Sequence, residues 1–586
     1  MRRASIQTGF WALYIGCGGA PDTDKGEVRD TVLTEDSSSA TGTPTTQPTS
    51  TQETADTGET GTVTAPVEIA QGGVVTCENP AIREASKFER RLDPDVANSF
   101  NWIHGAGIII ADFNADGEQD ILAPTELGVR YYQGQEDGSF LTVEGALFDG
   151  ADMTFGNGGA AADYDGDGDL DVYLLRYMAP NLLLSNNGNG SFTTVNAGAG
   201  EAVVCPGCPD GVGGSDAPPS TSAAWADWDR DGDLDLFVGN YGVPDQTGKI
   251  PTAEFGPAFQ SYLYRNLGDG VFEDVSTMLP QILHDGYTYA GGWHDIDDDG
   301  WQDLMVVNDF GPAYPNAVMR NESGTLVEGW RDHLWVQTTG MGLGVVDLND
   351  DGHLDMLIPE YDKMSFWRSS LIGDEVYWLD VAMSLGLRVD RARDQMVGWG
   401  ADWGDLDNDA DLDAVVAYGF IGTVHPNWEN PLEQPDALYL QDESGQFEDV
   451  APAWGMDEPT AGRGFQLADL NHDGYLDLVK RDLEGPNVIW SSNCGTNAWL
   501  MIRPRQAQGD NLFAVGARVW VTVGDRRIAG DVRAGGTSFA SSGPPEVHFG
   551  LGEHEQVDGV TLRWPDGVIS ELGPLATRQL ITVTRQ

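Results

Sequence analysis

Seven short acidic segments of this chain carry the residue types and the spacing of a site for a hard cation. Each has Asp at positions 1, 5 and 9 and Asp or Asn at position 3; position 6 is Gly in every copy except one, where it is Ala410. Calcium takes about six to eight oxygen ligands, and a short loop can surround it only if alternate side chains converge around a sharp turn. The segments are DFNADGEQD from Asp112, DYDGDGDLD from Asp163, DWDRDGDLD from Asp227, DIDDDGWQD from Asp295, DLNDDGHLD from Asp347, DLDNDADLD from Asp405 and DLNHDGYLD from Asp469.

Two alternatives to this interpretation are less consistent with the pattern. The first half of each segment matches the helix-loop-helix calcium loop, but that motif ends in Glu, whereas these segments end in Asp and run directly into apolar residues. Asp, Asn and Gly also form ordinary polar β-turns, yet seven copies with Asp always at position 9 favour a metal site. Magnesium fits less well because it prefers near-octahedral, water-rich sites. We therefore predict calcium loops flanked by strands.

The predicted ligands are the side chains at positions 1, 3, 5 and 9 and the residue at position 7, for up to seven calcium ions. By segment, they are Asp112, Asn114, Asp116, Glu118 and Asp120; Asp163, Asp165, Asp167, Asp169 and Asp171; Asp227, Asp229, Asp231, Asp233 and Asp235; Asp295, Asp297, Asp299, Trp301 and Asp303; Asp347, Asn349, Asp351, His353 and Asp355; Asp405, Asp407, Asp409, Asp411 and Asp413; and Asp469, Asn471, Asp473, Tyr475 and Asp477.

The composition excludes some classes of partner. The 586 residues include 32 Lys and Arg against 93 Asp and Glu, a formal net charge of −61. Such a surface repels nucleic acid and anionic lipid. High charge can also indicate disorder, but 40% hydrophobic residues and 18 Trp predict a folded core. A chain of this length is expected to hold more than one domain.

The N-terminal residues predict a secretory leader with a lipid-attachment site. In residues 1–17, Arg2 and Arg3 precede a short apolar stretch, and Cys17 ends a lipobox-like YIGC. Residues 18–75 are rich in Ser, Thr, Gly and acidic residues, cannot bury a core, and are predicted to form a disordered tether. An ordinary signal peptide or an unprocessed start are the alternatives. We expect a protein of the bacterial cell envelope, lipid-anchored at the outer membrane or cell surface, or secreted.

The spacing of the repeats predicts the fold. Their first residues lie 51, 64, 68, 52, 58 and 64 positions apart, and each repeat contains four strand-like segments, the first crowded with Gly and Ala. Such a period indicates a propeller or a solenoid. We predict an all-β chain with a seven-bladed β-propeller over residues 76–496, in which 81–92 supply the missing outer strand of the last blade, followed by a small β-rich domain over 497–586.

Four cysteines remain besides Cys17, and an even number in an oxidising compartment predicts two disulfides with three possible pairings. A bond between Cys77 and Cys494 would clamp the two ends of the propeller, whereas Cys205 and Cys208 suit a local disulfide within a loop. Half of a zinc or redox site is the alternative for Cys205 and Cys208.

The segments LYRNLGDGVFEDV and LYLQDESGQFEDV, with the acidic loops and the small-residue strands before them, resemble FG-GAP/VCBS repeats. Residues 497–586 resemble the ASPIC/UnbV domain through VGARVWVTV, VHFGLGEHEQVDGVTLRWPDG and the final LITVT. Together they resemble the arrangement of the cartilage acidic protein family, in a bacterial lipoprotein form. The resemblance implies a calcium-binding, secreted or surface protein with an adhesive or interaction role.

Catalytic motifs are missing from the sequence: no G-x-S-x-G elbow, H-E-x-x-H pair or dinucleotide fingerprint is present, and the nine His are scattered. We therefore predict a monomeric, non-enzymatic adhesion or ligand-binding module. Its partner is an unidentified protein or glycan, not nucleic acid, and it contacts membrane only through a lipid anchor on Cys17. The alternative is a polysaccharide-active enzyme that uses the axial mouth of the propeller, by analogy of fold.

Long insertions predict where the ligand binds. Connections in an antiparallel blade alternate between its two faces, so insertions after the second and fourth strands lie opposite the calcium loops. Long loops with exposed aromatic residues are frequent binding sites; the alternative is that the aromatic residues fold back over the blade edges. These residues are Tyr241, Phe255, Phe259, Phe310, Tyr314, Phe366, Trp367, Phe420 and Trp428.

Overall fold

The computed structural model describes residues 65–71, 86–90 and 106–586, except for gaps at 144, 146, 178, 201–216, 243–257, 269, 312, 329–337, 373–374, 390–395, 420–433, 484–486 and 493–494. The predicted leader and most of the predicted tether lie outside the described residues. So do Cys77, Cys205, Cys208, Cys494, Phe255, Phe420 and Trp428.

The chain is all-β, as predicted, and within the described residues seven antiparallel sheets follow the seven repeats. In each sheet an acidic loop joins the first strand to the second. In order, the strands of sheets 1 to 7 are Ile109–Ala111, Asp120–Thr125, Gly128–Gly134 and Phe140–Val143; Gly156–Ala162, Asp171–Arg176, Leu182–Asn186 and Phe192–Val195; Ser220–Ala226, Asp235–Asn240, Tyr262–Asn266 and Phe272–Asp274; Thr288–His294, Asp303–Asn308, Ala317–Asn321 and Leu326–Glu328; Gly344–Val346, Asp355–Pro359, Met364–Ile372 and Glu375–Asp380; Gly398–Gly404, Asp413–Tyr418, Ala437–Gln441 and Phe447–Asp449; and Gly462–Ala468, Asp477–Asp482, Asn487–Ser491 and Ser86–Arg90.

Short helices occupy connections between these strands. Within the described residues they are the 3-10 turn Ser276–Met278 and the α-helices Gln281–His284, Ala382–Leu385 and Ala451–Trp454. None of the helices in the described part of the chain has the length and the apolar character needed to cross a membrane.

Each sheet packs on the next through a shared apolar cluster, and sheet 7 packs on sheet 1. The last contact joins Ile108 and Ile110 of sheet 1 to Leu470 and Val479 of sheet 7. The sheets therefore form a closed, propeller-like ring. Closing the ring buries the apolar sheet faces that the first and last sheets of an open stack would leave exposed.

The outer strand of sheet 7 comes from the N-terminal side of the ring. Ser86–Arg90 pairs antiparallel with Asn487–Ser491, so the prediction that 81–92 supply this strand is confirmed. Because the two strands lie about four hundred residues apart in sequence, they hold the first and last repeats together.

The C-terminal domain consists of two four-stranded sheets and a small two-stranded sheet. It includes Val67–Gln71, which we assigned to the tether from sequence but which pairs antiparallel with Gln579–Arg585. The strands of the first sheet, in spatial order, are Val67–Gln71, Gln579–Arg585, Ala498–Gln506 and Val547–Gly552; those of the second are Arg526–Asp531, Arg518–Val523, Gly559–Arg563 and Ile569–Leu572; the small sheet pairs Gln556–Val557 with Leu575–Ala576.

A segment of the C-terminal domain, 534–542, which we call the axial segment, lies along the axis of the ring. Ala534–Gly535 pairs with the first strand of sheet 3. Ser542 exchanges backbone hydrogen bonds with sheet 1: its N–H donates to the Ile108 carbonyl and its carbonyl accepts from the Ile110 N–H, both at 2.8 Å. Sheet 2 donates to the Ala540 carbonyl.

The axial segment reaches the remaining sheets as well. Ser538 exchanges backbone hydrogen bonds with Leu343 of sheet 5 (2.8 and 3.2 Å), and its hydroxyl accepts from the Phe465 N–H of sheet 7 (3.2 Å). Phe539 is fully buried with its ring 5.2 Å from that of Trp399 in sheet 6. A methyl group added to Gly292 of sheet 4 would lie 2.5 Å from the Gly536 carbonyl oxygen. The small residues of the first strands thus make room for this segment.

Candidate metal centres

The acidic loops all lie on the face of the ring that the C-terminal domain covers. Arg563 contacts the fourth loop, Arg526 the fifth and sixth, and His548 Nε2 lies 3.0 Å from the Gly474 carbonyl oxygen of the seventh. Asp510 lies beside Gly166 of the second loop. One domain can touch so many loops only if they share a face.

Backbone hydrogen bonds draw the carboxylates of each loop toward a common point, as the seventh loop illustrates. The Asp473 and Gly474 N–H groups donate to the two oxygens of Asp469 (3.1 and 2.9 Å). The Leu470 N–H donates to Asp477 Oδ2 (2.9 Å). The N–H of Ser492, the residue that follows the third strand, donates to Asp477 Oδ1 (2.6 Å). The Asp at position 9 therefore connects the loop to the third strand of its sheet through hydrogen bonds. It is buried in all seven copies.

Four loops bring carboxylate oxygens of three Asp side chains within 4.8 Å of one another: Asp163, Asp165 and Asp171; Asp227, Asp229 and Asp235; Asp295, Asp297 and Asp299; and Asp405, Asp407 and Asp413. The remaining three loops have Asn at position 3, and there the amide Nδ2 donates to the Asp at position 5, for example from Asn349 to Asp351 at 2.9 Å. The structure thus groups the predicted ligands, with a neutral oxygen donor at position 3 in three loops.

The donor set fits a hard cation. Within the described residues, several buried carboxylate oxygens of the loops accept no hydrogen bond: Asp165 Oδ1, Asp227 Oδ1, Asp235 Oδ2, Asp295 Oδ1 and Asp355 Oδ2. Leaving a buried charged oxygen unpaired costs a folded protein free energy. Oxygen-only, carboxylate-rich cages are the preference of calcium.

At position 7 of the first, fourth and sixth loops, the side chains contact partners outside their own carboxylate group. Glu118 lies 3.0 Å from His472 of the seventh loop, and Trp301 stacks under the Arg230 guanidinium at 3.9 Å. Asp411 pairs with Arg526. These side chains are therefore not part of the carboxylate clusters.

Burial raises the pKa of several loop carboxyls at positions 1 and 9. The pKa of Asp163 is raised to about 7, first by burial and then by the charge of Asp167. The pKa of Asp120 is likewise raised to about 7 and that of Asp171 to about 9, with burial as the main cause in both. The metal-free folded state therefore disfavours the ionised carboxylates that a bound cation would neutralise.

The raised pKa values predict that calcium stabilises the protein more at high pH. Carboxyls with folded pKa values near 7 to 9 and an ordinary value of 3.8 contribute stability that is present at low pH and lost as pH rises through the folded pKa. We expect the melting temperature of protein freed of metal by dialysis to fall between pH 5 and pH 8, and the increase on adding calcium to be several-fold larger at pH 8. An equal increase at both pH values would contradict this assignment.

Position 6 has the left-handed backbone expected from the sequence. The six glycines there have φ between +84° and +104°, and Ala410 has φ +78°. Position 4, which the sequence did not single out, is also left-handed in all seven loops: Ala115, Gly166, Arg230, Asp298, Asp350, Asn408 and His472. Asp, Asn, His and Gly tolerate this region best. Their frequency at position 4 could therefore have indicated a left-handed backbone there.

We predict that replacing Ala410 by Gly tightens calcium binding at the sixth loop. A side chain with a Cβ resists this backbone region by roughly 1–2 kcal/mol, which corresponds to about a five- to thirtyfold gain in affinity on its removal. Calorimetric calcium titration is the right measurement, since Ala410 also packs on the C-terminal domain and a melting temperature would mix both effects. Affinities that are unchanged at every resolved site of Ala410→Gly would refute the strain argument.

Aromatic residues of the insertions fold back into the ring. Tyr241 is buried and stacks on Tyr289 at 4.2 Å, and Phe259 and Phe366 are also buried. Phe310 and Tyr314 are half-buried against Tyr287 at 5.2 and 5.0 Å, and Trp367 is half-buried. The prediction of exposed aromatic residues is therefore wrong for the described ones, and the alternative of packing over the blades holds.

Several arginines that the sequence did not single out reach the loops. Arg265 pairs with Asp229 at 2.9 Å and Arg320 with Asp297 at 3.0 Å, both at position 3. From the C-terminal domain come Arg518, Arg526 and Arg563. Residues 497–586 hold nine Arg, no Lys and nine acidic residues, so this domain is neutral within a strongly acidic chain. This contrast in charge is the sequence feature that could have indicated contacts between its arginines and the acidic loops.

Comparison with known protein families agrees with the architecture. The profile described as FG-GAP-like repeat matches residues 112–174, 163–238 and 295–358, and the profile described as ASPIC and UnbV matches 507–586. Cartilage acidic protein 1 of Xenopus tropicalis is 24% identical over 427 residues, which cover 70% of this chain and 61% of that protein. The Mus musculus protein is 26% identical over 237 residues, covering 39% and 34%. The chain thus spans about a third to three fifths of the length of these relatives.

Solved structures share only a distant likeness of fold. They include BBS1N in complex with ARL6DN (TM-score 0.39, 9% identity, covering 70% of this chain and 96% of that chain) and the rhamnogalacturonan lyase YesW (TM-score 0.36, 13% identity, 71% and 75%). An Agrocybe aegerita lectin that recognises non-reducing terminal N-acetylglucosamine has a TM-score of 0.35 at 16% identity, covering 59% and 79%. The two matched profiles show that the protein carries FG-GAP-like repeats followed by a C-terminal ASPIC and UnbV domain, the combination that the sequence resemblance predicted.

Proposed function

We propose that this protein is a calcium-binding adhesion or ligand-binding module of the bacterial cell surface. The observation that carries the proposal is the set of loop carboxylates whose buried oxygens accept no hydrogen bond, for example Asp165 Oδ1 and Asp235 Oδ2. Calcium ions would compensate this charge and fix the seven loops. The metal is structural in this proposal, and the ligand is a protein or a glycan.

The ligand face we propose is the one opposite the acidic loops. The C-terminal domain covers the loop face through contacts such as Arg563 with Asp298 and Arg526 with Asp350. The described start of such a connection, Tyr241, directly follows the second strand of sheet 3, at the end away from the acidic loop, and we propose that this face meets the partner.

The axis of the ring supports a binding module over an enzyme. Phe539 of the axial segment is buried against Trp399 and Tyr289, and the Arg463 guanidinium lies 3.9 Å over the Trp399 ring. Tyr241 stacks on Tyr289 beyond them. These side chains pack together at the centre of the ring, and this packing supports our preference for a binding module over a polysaccharide-active enzyme at the axial mouth.

The experiment is a glycan array and a surface-protein pull-down with residues 65–586, in calcium and after metal removal. We expect binding that requires calcium, and no turnover of a polysaccharide panel assayed in parallel. Turnover of any polysaccharide in the panel would instead support the enzyme. Calcium titration of the same protein tests the metal directly, and binding of no calcium ions would overturn the proposal.

We further propose that a lipid on Cys17 anchors the protein. Expression with the native leader should place the protein in the detergent phase of a Triton X-114 partition, and Cys17→Ser should move it to the aqueous phase. Equal partition of both forms would contradict the anchor.

A further inference from the structure

The fourth acidic loop differs from the others because arginines of the C-terminal domain bind its carboxylates. Arg563 donates from Nη2 to Asp295 Oδ2 and from Nη1 to Asp298 Oδ1 (2.8 Å). Arg518 donates from Nη2 to the Asp295 carbonyl (3.0 Å) and from Nη1 to Asp298 Oδ1 (3.1 Å). Asp295 is position 1 of the loop, a predicted calcium ligand.

Among the described residues, no other position-1 carboxylate forms an ion pair with an arginine. Arg526 also reaches acidic loops from the C-terminal domain, but it binds Asp350 and Asp411 at positions 4 and 7, outside the predicted side-chain ligands. The fourth loop carries a second ion pair at a ligand position, between Arg320 and Asp297 (3.0 Å). Two of its four predicted carboxylate ligands are therefore already paired with guanidinium groups.

Contacts within the C-terminal domain fix the positions of Arg518 and Arg563. Arg518 is buried and also binds both oxygens of Asp531 at 2.7 and 3.2 Å. Arg563 is largely buried, with its guanidinium 5.2 Å from the Trp520 ring. Neither can leave without breaking contacts inside its own domain. A calcium ion bound by Asp295 would lie close to a fixed positive charge that shares the same carboxylate, and like charges at this range repel.

We infer that the arginines of the C-terminal domain take the place of calcium at the fourth loop. This inference rests on the proposed calcium binding at the remaining loops. Asp295 Oδ1 accepts no hydrogen bond, so the carboxylate retains one oxygen and the loop keeps a weak affinity for the ion. The chain then binds up to six calcium ions tightly, and the fourth loop is a metal-independent docking point for the C-terminal domain.

Calcium titration of Arg563→Gln tests the inference, with native mass spectrometry as the count of bound ions. We expect one additional tight ion, or a gain of at least tenfold at the weakest site. Arg526→Gln is the matched control, because it removes an arginine of the same domain that pairs only with carboxylates at positions 4 and 7 and with none at position 1, and it should leave the count unchanged. An identical count and affinity in Arg563→Gln and the parent would overturn the inference.

A second comparison does not depend on the stability of Arg563→Gln. Asp163→Asn, in the second loop, should remove one tight ion from the parent, whereas Asp295→Asn should remove none. Loss of one ion in both variants would show that the fourth loop is an ordinary calcium site, which contradicts the inference but leaves the proposed function intact. A parent that binds no calcium at all would refute the proposed function itself.

Discussion

Removal of calcium from residues 65–586 is expected to lower the melting temperature by on the order of 10 °C. At ten to a hundred times the dissociation constant, each bound ion adds about 1.4–2.7 kcal/mol to the free energy of unfolding. Six or seven such contributions, spread over a chain of this size with its large unfolding entropy, give a shift of that order. Scanning calorimetry of the metal-free and calcium-loaded protein measures it.

Two controls separate specific binding from a general effect of charge. Magnesium at the same concentration should restore little of the lost stability, because it prefers octahedral, water-rich coordination. Asp171→Asn, at a fully buried position 9, should remove only one loop's share of the calcium effect. The fragment should begin at residue 65, since Val67–Gln71 is a strand of the C-terminal domain. A melting temperature that does not change when calcium is chelated would rule out structural calcium.

Truncation of Phe539 is expected to cost about 3–5 kcal/mol and to separate the unfolding of the two domains. Removing a fully buried Phe side chain loses its transfer free energy and leaves a cavity. Phe539 lies in the axial segment, whose residues contact the first strands of all seven sheets, so the parent should unfold in one transition. In Phe539→Ala we expect the C-terminal domain and the ring to melt in two calorimetric transitions.

Phe192→Ala is the matched control for this experiment. Phe192 is equally a buried Phe, but it packs between sheets 1 and 2 and contacts no residue of the axial segment. Its truncation should lower stability by a similar amount while the single transition persists. If Phe539→Ala melts like the parent, or if both variants give one transition, the axial segment does not couple the domains.

Local sequence was sufficient for the acidic loops and for the order of strands. A calcium loop is built from residues within nine positions, and its ligand spacing and its glycine at position 6 are determined by that short segment. Short runs of consecutive apolar or small residues on either side then indicate buried strands. Even the outer strand of sheet 7 could be predicted, because the last repeat lacked a fourth strand and Ser86–Arg90 was available to supply it.

Features that depend on one particular packing of distant segments could not be predicted. The residues Ser538 and Phe539 lie in a polar, Gly- and Ser-rich stretch whose sequence resembles a surface loop, and only the narrow axis lined by small residues makes room for them. The burial of Tyr241 was undecided for the same reason: an aromatic residue in a loop can cover its own blade or face solvent, and the choice depends on neighbouring blades.

The sequence by itself determined the repeat number, the all-β class and the candidate ligands. The reason is that the acidic motif and the strands beside it are each encoded within a few consecutive residues, and the motif recurs seven times. Only the tertiary structure decided that the C-terminal domain covers the loops, that its axial segment fills the ring, and that Arg563 reaches Asp295 across 268 positions. Such contacts arise from electrostatic attraction and close packing between surfaces that form only after each domain has folded, so no local pattern records them.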